Sequence, residues 1–433
     1  MKYAIALLLL VFLTTSGVVG QNIHAPDIGQ TEENLQDLIE EALSRNPEIA
    51  STLYRMDASR LRIPQTGALP DPELNFKLME IPGTDLGKAM YANVELMQMI
   101  PFPSKLSGQR AIGELLSEHA HHDHMESVLS TIAELKTALA MLWFARESQT
   151  INESNKGILK NILKAAETGY SVGKTSQQEV LRTSIELSKL SVTEGRIREQ
   201  IITAESSLRQ ILNRPAAVPI GRFDFPVSPS TLPTIDQLLE YARQNRPMLI
   251  HDSLNVLEKV LTVGLMKKEF LPDFKFSLEY VRMPVLMENR WSVSAGISLP
   301  FAPWSIAKTS SKVQEAEAEQ QMISSMFESS RNTIERDIRS QYAGLEALDK
   351  EIRTISGTIL PQLQQSIQLL LTEYENGKTS YLMLLDGYRM YNDMKLDYAM
   401  ARMKYQETLA QIERSVGASN ILYIVTTRKD DHQ

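Results

Sequence analysis

Leu271-Pro272-Asp273-Phe274-Lys275-Phe276-Ser277-Leu278-Glu279-Tyr280 is followed, after ten intervening residues, by Trp291-Ser292-Val293-Ser294-Ala295-Gly296-Ile297-Ser298-Leu299-Pro300-Phe301. Phe274, Phe276, Leu278 and Tyr280 alternate with Lys275, Ser277 and Glu279, and Trp291, Val293, Ala295, Ile297 and Leu299 alternate with Ser292, Ser294, Gly296 and Ser298. A period of two predicts strands with one apolar and one polar face. Pro272 separates the first strand from what precedes it, because proline lacks an amide donor and restrains its predecessor. Each strand is predicted to run nine or ten residues, and a tilted transmembrane strand needs roughly 9–11.

The same signature stands earlier in the chain. Leu69-Pro70-Asp71-Pro72 leads into Leu74, Phe76 and Leu78 against Glu73, Asn75 and Lys77, and past a Pro82-Gly83 turn Ala92, Val94 and Leu96 oppose Asn93 and Glu95 before Ile100-Pro101-Phe102. Further out, Leu38-Ile39-Glu40 with Ala42 and Pro47 recurs as Leu238-Leu239-Glu240 with Ala242 and Pro247. Tyr170 with Gly173-Lys174-Thr175-Ser176 recurs as Tyr374 with Gly377-Lys378-Thr379-Ser380, and every spacing lies between 199 and 204. The chain therefore reads as two copies of one unit, 21–213 and 234–416, with a linker 214–233 and a tail 417–433.

Between hairpin and tip each copy has a long helical stretch. Residues 104–167 step Val128, Ile132, Leu135, Leu139 and Leu142 by four and three, and residues 305–374 place Ile338, Leu345, Ile352 and Ile359 every seventh residue, with a kink expected at Pro361. These are coiled-coil seams, each helix on the order of 100 Å long. Return helices are expected over 177–213 and 381–416, and 48–65 reads as a helix before the first hairpin.

Composition agrees with long elements and few turns: 433 residues carry only 20 Gly, 19 Pro and 6% aromatics. A net charge of −8 with dispersed basic residues offers no nucleic-acid face. The absence of Cys rules out disulfides, thiolate metal sites, Cys catalysis and a lipid-modified N-terminal Cys. Lys2, an apolar run from Ala4 to Leu13 and small residues up to Gly20 predict a secretory signal at 1–20. Its ten apolar residues are half the roughly 20 a spanning helix needs. No later stretch approaches 18 uncharged apolar residues, so a membrane span has to be built from strands. An open sheet edge in lipid leaves amides unpaired, so four strands per chain must close by oligomerisation, with apolar faces toward lipid and Lys77, Glu95, Lys275 and Glu279 toward a wet lumen. The rival reading is a soluble periplasmic coiled-coil adaptor or scaffold. Two strand–helix–helix copies disfavour it.

In this ordered combination the two-copy plan, the Leu-Pro-Asp entries, the Pro101-Phe102-Pro103 exit and the two Tyr-x-x-Gly tips resemble the TolC-like outer membrane efflux proteins over essentially the whole mature chain. The segment from Ile359-Leu360-Pro361-Gln362 through Tyr374-Glu375-Asn376-Gly377 to Leu384-Leu385-Asp386 is similar to that family's most recognisable stretch. The resemblance implies a mainly α chain with a membrane β-barrel: a homotrimer forming a 12-stranded barrel in outer membrane lipid, continued by an α-helical tunnel in the periplasm. It also implies an exit duct that receives cargo from an inner-membrane pump through a periplasmic adaptor. Gly67-Ala68-Leu69-Pro70-Asp71-Pro72 and Gln98 to Pro103 followed by Ser104-Lys105-Leu106 resemble most the heavy-metal cation branch, although many members have Gly where Ser104 stands. Multidrug efflux and type I secretion are the alternatives within the same fold.

Candidate sites follow from both readings. The tips, with Gly169, Tyr170, Gly173, Lys174, Tyr374, Gly377 and Lys378, are polar turns that the resemblance assigns to adaptor docking. Before the second tip, where gated relatives carry acidic rings, this chain has Gln364, Gln365 and Gln368, with acids only at Glu373 and Glu375, so these are the gate candidates. His119, His121, His122, Asp123 and His124 carry donors that suit zinc, cobalt, nickel or copper(II). At 100° per residue His119, His122 and Asp123 share one face while His121 and His124 lie nearly opposite, and the run reads first as a solvated helix segment. Met79, Met90, Met97 and Met99 similarly read as filler before soft-metal ligands. No strand precedes the Gly-Lys-Thr turn, so it is no phosphate loop. No nucleophile–base set or cofactor turn is present, so neither an enzyme nor a cofactor is expected.

Overall fold

The computed structural model describes residues 32–81, 86, 89, 91–173, 175–225, 232–283, 288–376 and 378–421. The signal segment, the Pro82-Gly83 turn, Met90, Lys174, Gly377 and the tail beyond 421 lie outside the described residues.

The first copy runs α1 (Leu35–Arg45), α2 (Pro47–Arg62), β1 (Glu73–Met79), β2 (Tyr91–Ile100), α3 (Pro103–Ser171) and α4 (Gln177–Leu212). The second runs α5 (Ile235–Asn245), α6 (Pro247–Lys268), β3 (Phe274–Met283), β4 (Glu288–Ile297), α7 (Pro303–Thr354), a π turn (Ile355–Ile359), α8 (Leu360–Glu375) and α9 (Tyr381–Val416). Proline at the first turn starts α2, α3, α6 and α7, where its fixed φ suits the helix and its missing amide costs nothing. Both return helices stop on a left-handed residue, Asn213 at φ 51 and Gly417 at φ 87. At Gly417 a Cβ would stand 2.8 Å from the Arg246 backbone, so the position is closed to other residues.

The four strands form one antiparallel sheet in the order β1-β2-β3-β4, so the two copies meet at β2–β3. β1 is seven residues rather than nine or ten, because Glu80 at φ 53 turns the chain out of the ladder.

Mirrored cores hold the helices. Leu38, Ala42, Leu135, Leu139, Leu142, Leu208 and Leu212 pack together with Ile220 and Phe225 of the linker. Leu238, Leu239, Ala242, Ile338, Ile412 and Val416 form the counterpart. One 18-residue window of α3 is apolar enough to cross a membrane by length and composition, but 44% of it is buried within the chain, and it belongs to this core seam.

The second seam departs from a simple kink. Leu135 and Leu142 have their equivalents 203 residues on, in Ile338 and Leu345, all four fully or almost fully buried. Tyr170 and Tyr374 are 204 apart, as are Leu212 and Val416. The second copy therefore holds one extra residue between Leu345 and Tyr374, and the π turn takes it up: the Leu360 amide donates five residues back to the Ile355 carbonyl. The widened turn sits just before Pro361, whose ring and missing amide disrupt the preceding carbonyls.

Candidate functional site

The sheet has two chemically opposite faces. Leu74, Leu96, Leu278 and Val293 lie on one of them through the pairs Leu74↔Leu96, Leu96↔Leu278 and Leu278↔Val293. Phe76, Trp291 and Val293 on this face are 73%, 67% and 79% exposed, a patch that water would penalise and lipid would not. The other face is a polar network. Lys77 Nζ pairs with Glu95 at 3.2 Å, Asn93 donates to Glu279 at 2.7 Å, Ser292 donates to Glu279 at 3.2 Å, and Ser277 and Ser294 share a 2.7 Å bond. Lys77, Glu95, Lys275 and Glu279 thus share the polar face, and Met97 and Met99 stand on it beside Ser277 and Lys275.

The joint between sheet and stalk rests on Asp273 of the second Leu-Pro-Asp motif. Its carboxylate accepts from Lys105 Nζ at 2.9 and 3.1 Å and from the Phe102 amide at 2.9 Å. Lys105 is nearly buried there, so the strand entry of one copy grips the first turn of the other copy's long helix. The Leu-Pro-Asp motif marks the strand entry in sequence, whereas its partner Lys105 lies 168 residues away.

At the far end, the first tip is closed from within. Thr175 donates its amide to the Gly169 carbonyl at 3.3 Å and its hydroxyl to the Ala166 carbonyl at 2.8 Å. A Cβ on Gly169 would meet the Thr175 side chain at 2.7 Å. Gly173 has φ +69 and open space around it. Ser176 and Ser380 cap the returning helices by accepting from the Glu179 and Met383 amides. Tyr170 is half exposed, and the Lys378 amide closes the second tip onto the Glu373 carbonyl at 2.8 Å. Tyr374 packs edge-on against Tyr381 with ring centroids 6.4 Å apart.

Two contacts that the sequence did not reveal tie the return helices together just above the tips. The buried Tyr381 hydroxyl is hydrogen-bonded to Thr183 Oγ1, and Arg389 reaches Glu186 at 2.5 Å. Burial pushes the Tyr381 phenol above its ordinary range, while Arg389 and Lys189 hold Glu186 below the usual carboxylate range against its own partial burial. Of the gate candidates, Gln364, Gln365, Gln368 and Glu373 are all exposed along α8, while Ile367 among them is buried.

The histidine run is split among several partners. His119 is buried and its ring lies 4.8 Å from that of His251 on α6. Asp123 faces the same ring, with its carboxylate 3.6 Å from His251 Nε2. His121 and His122 contact each other edge-on at 5.3 Å, and His124 Nδ1 shares a 2.9 Å bond with Thr52 of α2. Burial pushes His119, His122 and His124 below the ordinary histidine range. Among the described residues no three His, Asp or Glu side chains are gathered as a metal ion would need.

Comparison with known proteins bears on this geometry. The profile of the family described as outer membrane efflux protein matches residues 38–214 and 238–418. The chain is 19% identical over 384 residues to the cobalt-zinc-cadmium resistance protein CzcC of Cupriavidus metallidurans, covering 87% of this chain and 88% of that one. Among solved structures it resembles the outer-membrane channel OprN (TM-score 0.77, 18% identity, 89% and 90% of the two chains). It also resembles CusC (0.75, 14%, 93% and 96%) and the Campylobacter jejuni outer membrane channel CmeC (0.74, 13%, 92% and 89%). Fold and family are those of outer membrane channels rather than enzymes. With lipid-suited sheet, helical stalk and closed tips in one chain, and the family profile matching both copies, the protein belongs to the outer membrane efflux protein family, in its TolC-like form.

Proposed function

We propose that three copies of this chain join their sheets into a 12-stranded barrel and act as the exit duct of a tripartite system exporting heavy-metal cations. The observation that carries the proposal is the four-stranded sheet with one lipid-suited face, one hydrated face and two outer strands that have no further neighbour among the described residues, mounted on long helical hairpins. Similarity to a cobalt-zinc-cadmium resistance protein along 87% of the chain supports metal cargo. The tips dock a periplasmic adaptor that links the duct to an inner-membrane pump. Gln364, Gln365, Gln368 and Glu373 face the tunnel as its narrow, weakly charged end, a reading supported by their exposure along one stretch of α8. An exit duct passes what the pump selects, so tight cargo binding along it would slow release.

Deleting the gene should lower tolerance of zinc, cobalt, nickel, copper or silver. Loss of resistance to dyes and detergents alone, with metal tolerance kept, would move the protein to multidrug efflux. Gly173→Val should abolish efflux while leaving oligomers in the membrane, since φ +69 is costly for a β-branched residue. Unchanged efflux in that variant removes the first tip from the mechanism.

A further inference from the structure

The two copies supply a ruler for a joint that one chain cannot show. Asp71 and Asp273 begin equivalent strands 202 residues apart, and Phe102 and Phe301 end equivalent strands 199 apart. Applied to the second hairpin, these offsets turn Lys275↔Gly296 into Glu73↔Met97 and Phe276↔Ala295 into Leu74↔Leu96. Both pairs occur in the first hairpin. The internal repeat therefore preserves strand register to the residue.

Among the described residues the joint between copies, β2–β3, has no second instance, and β1 and β4 end the sheet. Every residue of β4 is exposed, and so are all but one of β1. Such edges in lipid require partners. The same offsets, applied to Gln98↔Phe276, Leu96↔Leu278, Glu95↔Glu279 and Val94↔Tyr280, give Leu74 opposite Ile297, Phe76 opposite Ala295, Lys77 opposite Ser294 and Leu78 opposite Val293.

We infer that β1 of one subunit pairs antiparallel with β4 of the next in this register, Lys77 opposite Ser294, with Asp71 gripping the neighbour's helix entry as Asp273 grips its own. The inference rests on the oligomeric channel reading and adds its residue-level geometry. Two independent features support it. First, the register matches faces: Leu74, Phe76 and Leu78 meet Ile297, Ala295 and Val293, all on the apolar side, whereas a slip of one residue would drive each leucine against a lumenal serine or glycine. Second, Asp273 holds Lys105 and the Phe102 amide at the internal joint, while the equivalent Asp71 is exposed and makes no hydrogen bond or ion pair with a described residue. By the same offset of 199 the neighbour's equivalents of Phe102 and Lys105 are Phe301 and Trp304 at the start of α7, where a backbone amide and an indole N–H replace amide and ammonium.

The chain has no Cys, so paired cysteines can be read without background. In outer membranes carrying the full chain, Lys77→Cys with Ser294→Cys should oxidise to covalent dimers and trimers. Lys77→Cys with Ser292→Cys, on the same face but displaced about 7 Å along the strand, should not. Asp71→Ala should lower the temperature at which oligomers dissociate in detergent. Crosslinking through Ser292 instead, with oligomers intact, overturns the register while leaving the channel standing. Unchanged dissociation of the Asp71→Ala variant overturns the grip. A chain that migrates only as a monomer before oxidation brings down the channel reading and the register together.

Discussion

The two long stalks have the same origin in sequence and differ at one level. In the first copy, α3 continues as a single α-helix of 69 residues. In the second, the equivalent path is divided into α7, the π turn and α8, with Gly157 of the first copy standing where Pro361 stands in the second, 204 residues later. α3 lies at the centre of the molecule, packed by α4, α6, α9 and α2, whereas α8 packs chiefly on α9. The contrast shows where the fold places rigidity: the many-sided helix is unbroken, and the helix with one main neighbour carries the irregular turn.

The comparison can be broken hardest at the charged pair beneath the seams. Lys136 of α3 reaches Glu413 at 2.6 Å with both side chains nearly buried, and burial pushes the Glu413 carboxyl up. Removing Lys136 by Lys136→Ala should cost about 3–5 kcal/mol, because a buried charge is left alone. The equivalent of Glu413 in the first copy is Arg209, which pairs with Glu205 where both remain accessible to water. Arg209→Ala should cost about 1 kcal/mol or less. Chemical denaturation of the two variants measures the difference, and equal losses would show that burial does not distinguish the copies.

A second test exchanges the punctuation. Gly157→Pro should destabilise α3 by about 3 kcal/mol or more, since nothing in the first stalk supplies a π turn. Pro361→Ala should instead raise thermal stability, by removing the residue the turn accommodates. If Gly157→Pro is tolerated as well as Pro361 is, the first stalk is as adaptable as the second.

The smallest effect concerns pH at the α3–α6 contact. Because burial lowers the folded-state pKa of His119, its stabilising contribution is present above the unfolded value of about 6.5 and is lost as pH falls from there toward the folded value. Glu118, Asp123, Asp252 and Glu258 are the acids nearby, and His121, His122 and His251 the other imidazole rings. Melting temperature should therefore fall between pH 7 and pH 5, less so in His119→Phe. An identical slope in both proteins would assign the dependence elsewhere.

Much of this was legible in residues alone. Period-two alternation located the strands, and steps of three and four marked Ile132, Leu135, Leu139 and Leu142, all now buried. The identical Gly-Lys-Thr-Ser turns located both tips. What escaped was whatever depends on a partner distant in sequence: His251 against His119, Lys105 under Asp273, Tyr381 on Thr183, and the pairing of β2 with β3. Periodicity reports which face a residue occupies, not what stands opposite it. Pro361 did signal a disturbance, but a kink and a widened turn place the same demand on sequence, namely a carbonyl ladder that cannot continue.

The extra residue in the second stalk also has a genetic meaning. Inserting one residue into a regular α-helix rotates everything beyond it by about 100° and would turn the seam leading to Tyr374 away from its partner. The π turn confines the insertion to five residues, so that Tyr374 and Ser380 still occupy the places of Tyr170 and Ser176. A difference of one residue between the copies is thus taken up without changing the positions of Tyr374 and Ser380 relative to Tyr170 and Ser176. A stalk of this design can therefore differ in length by a single codon and still present its far end in the same orientation.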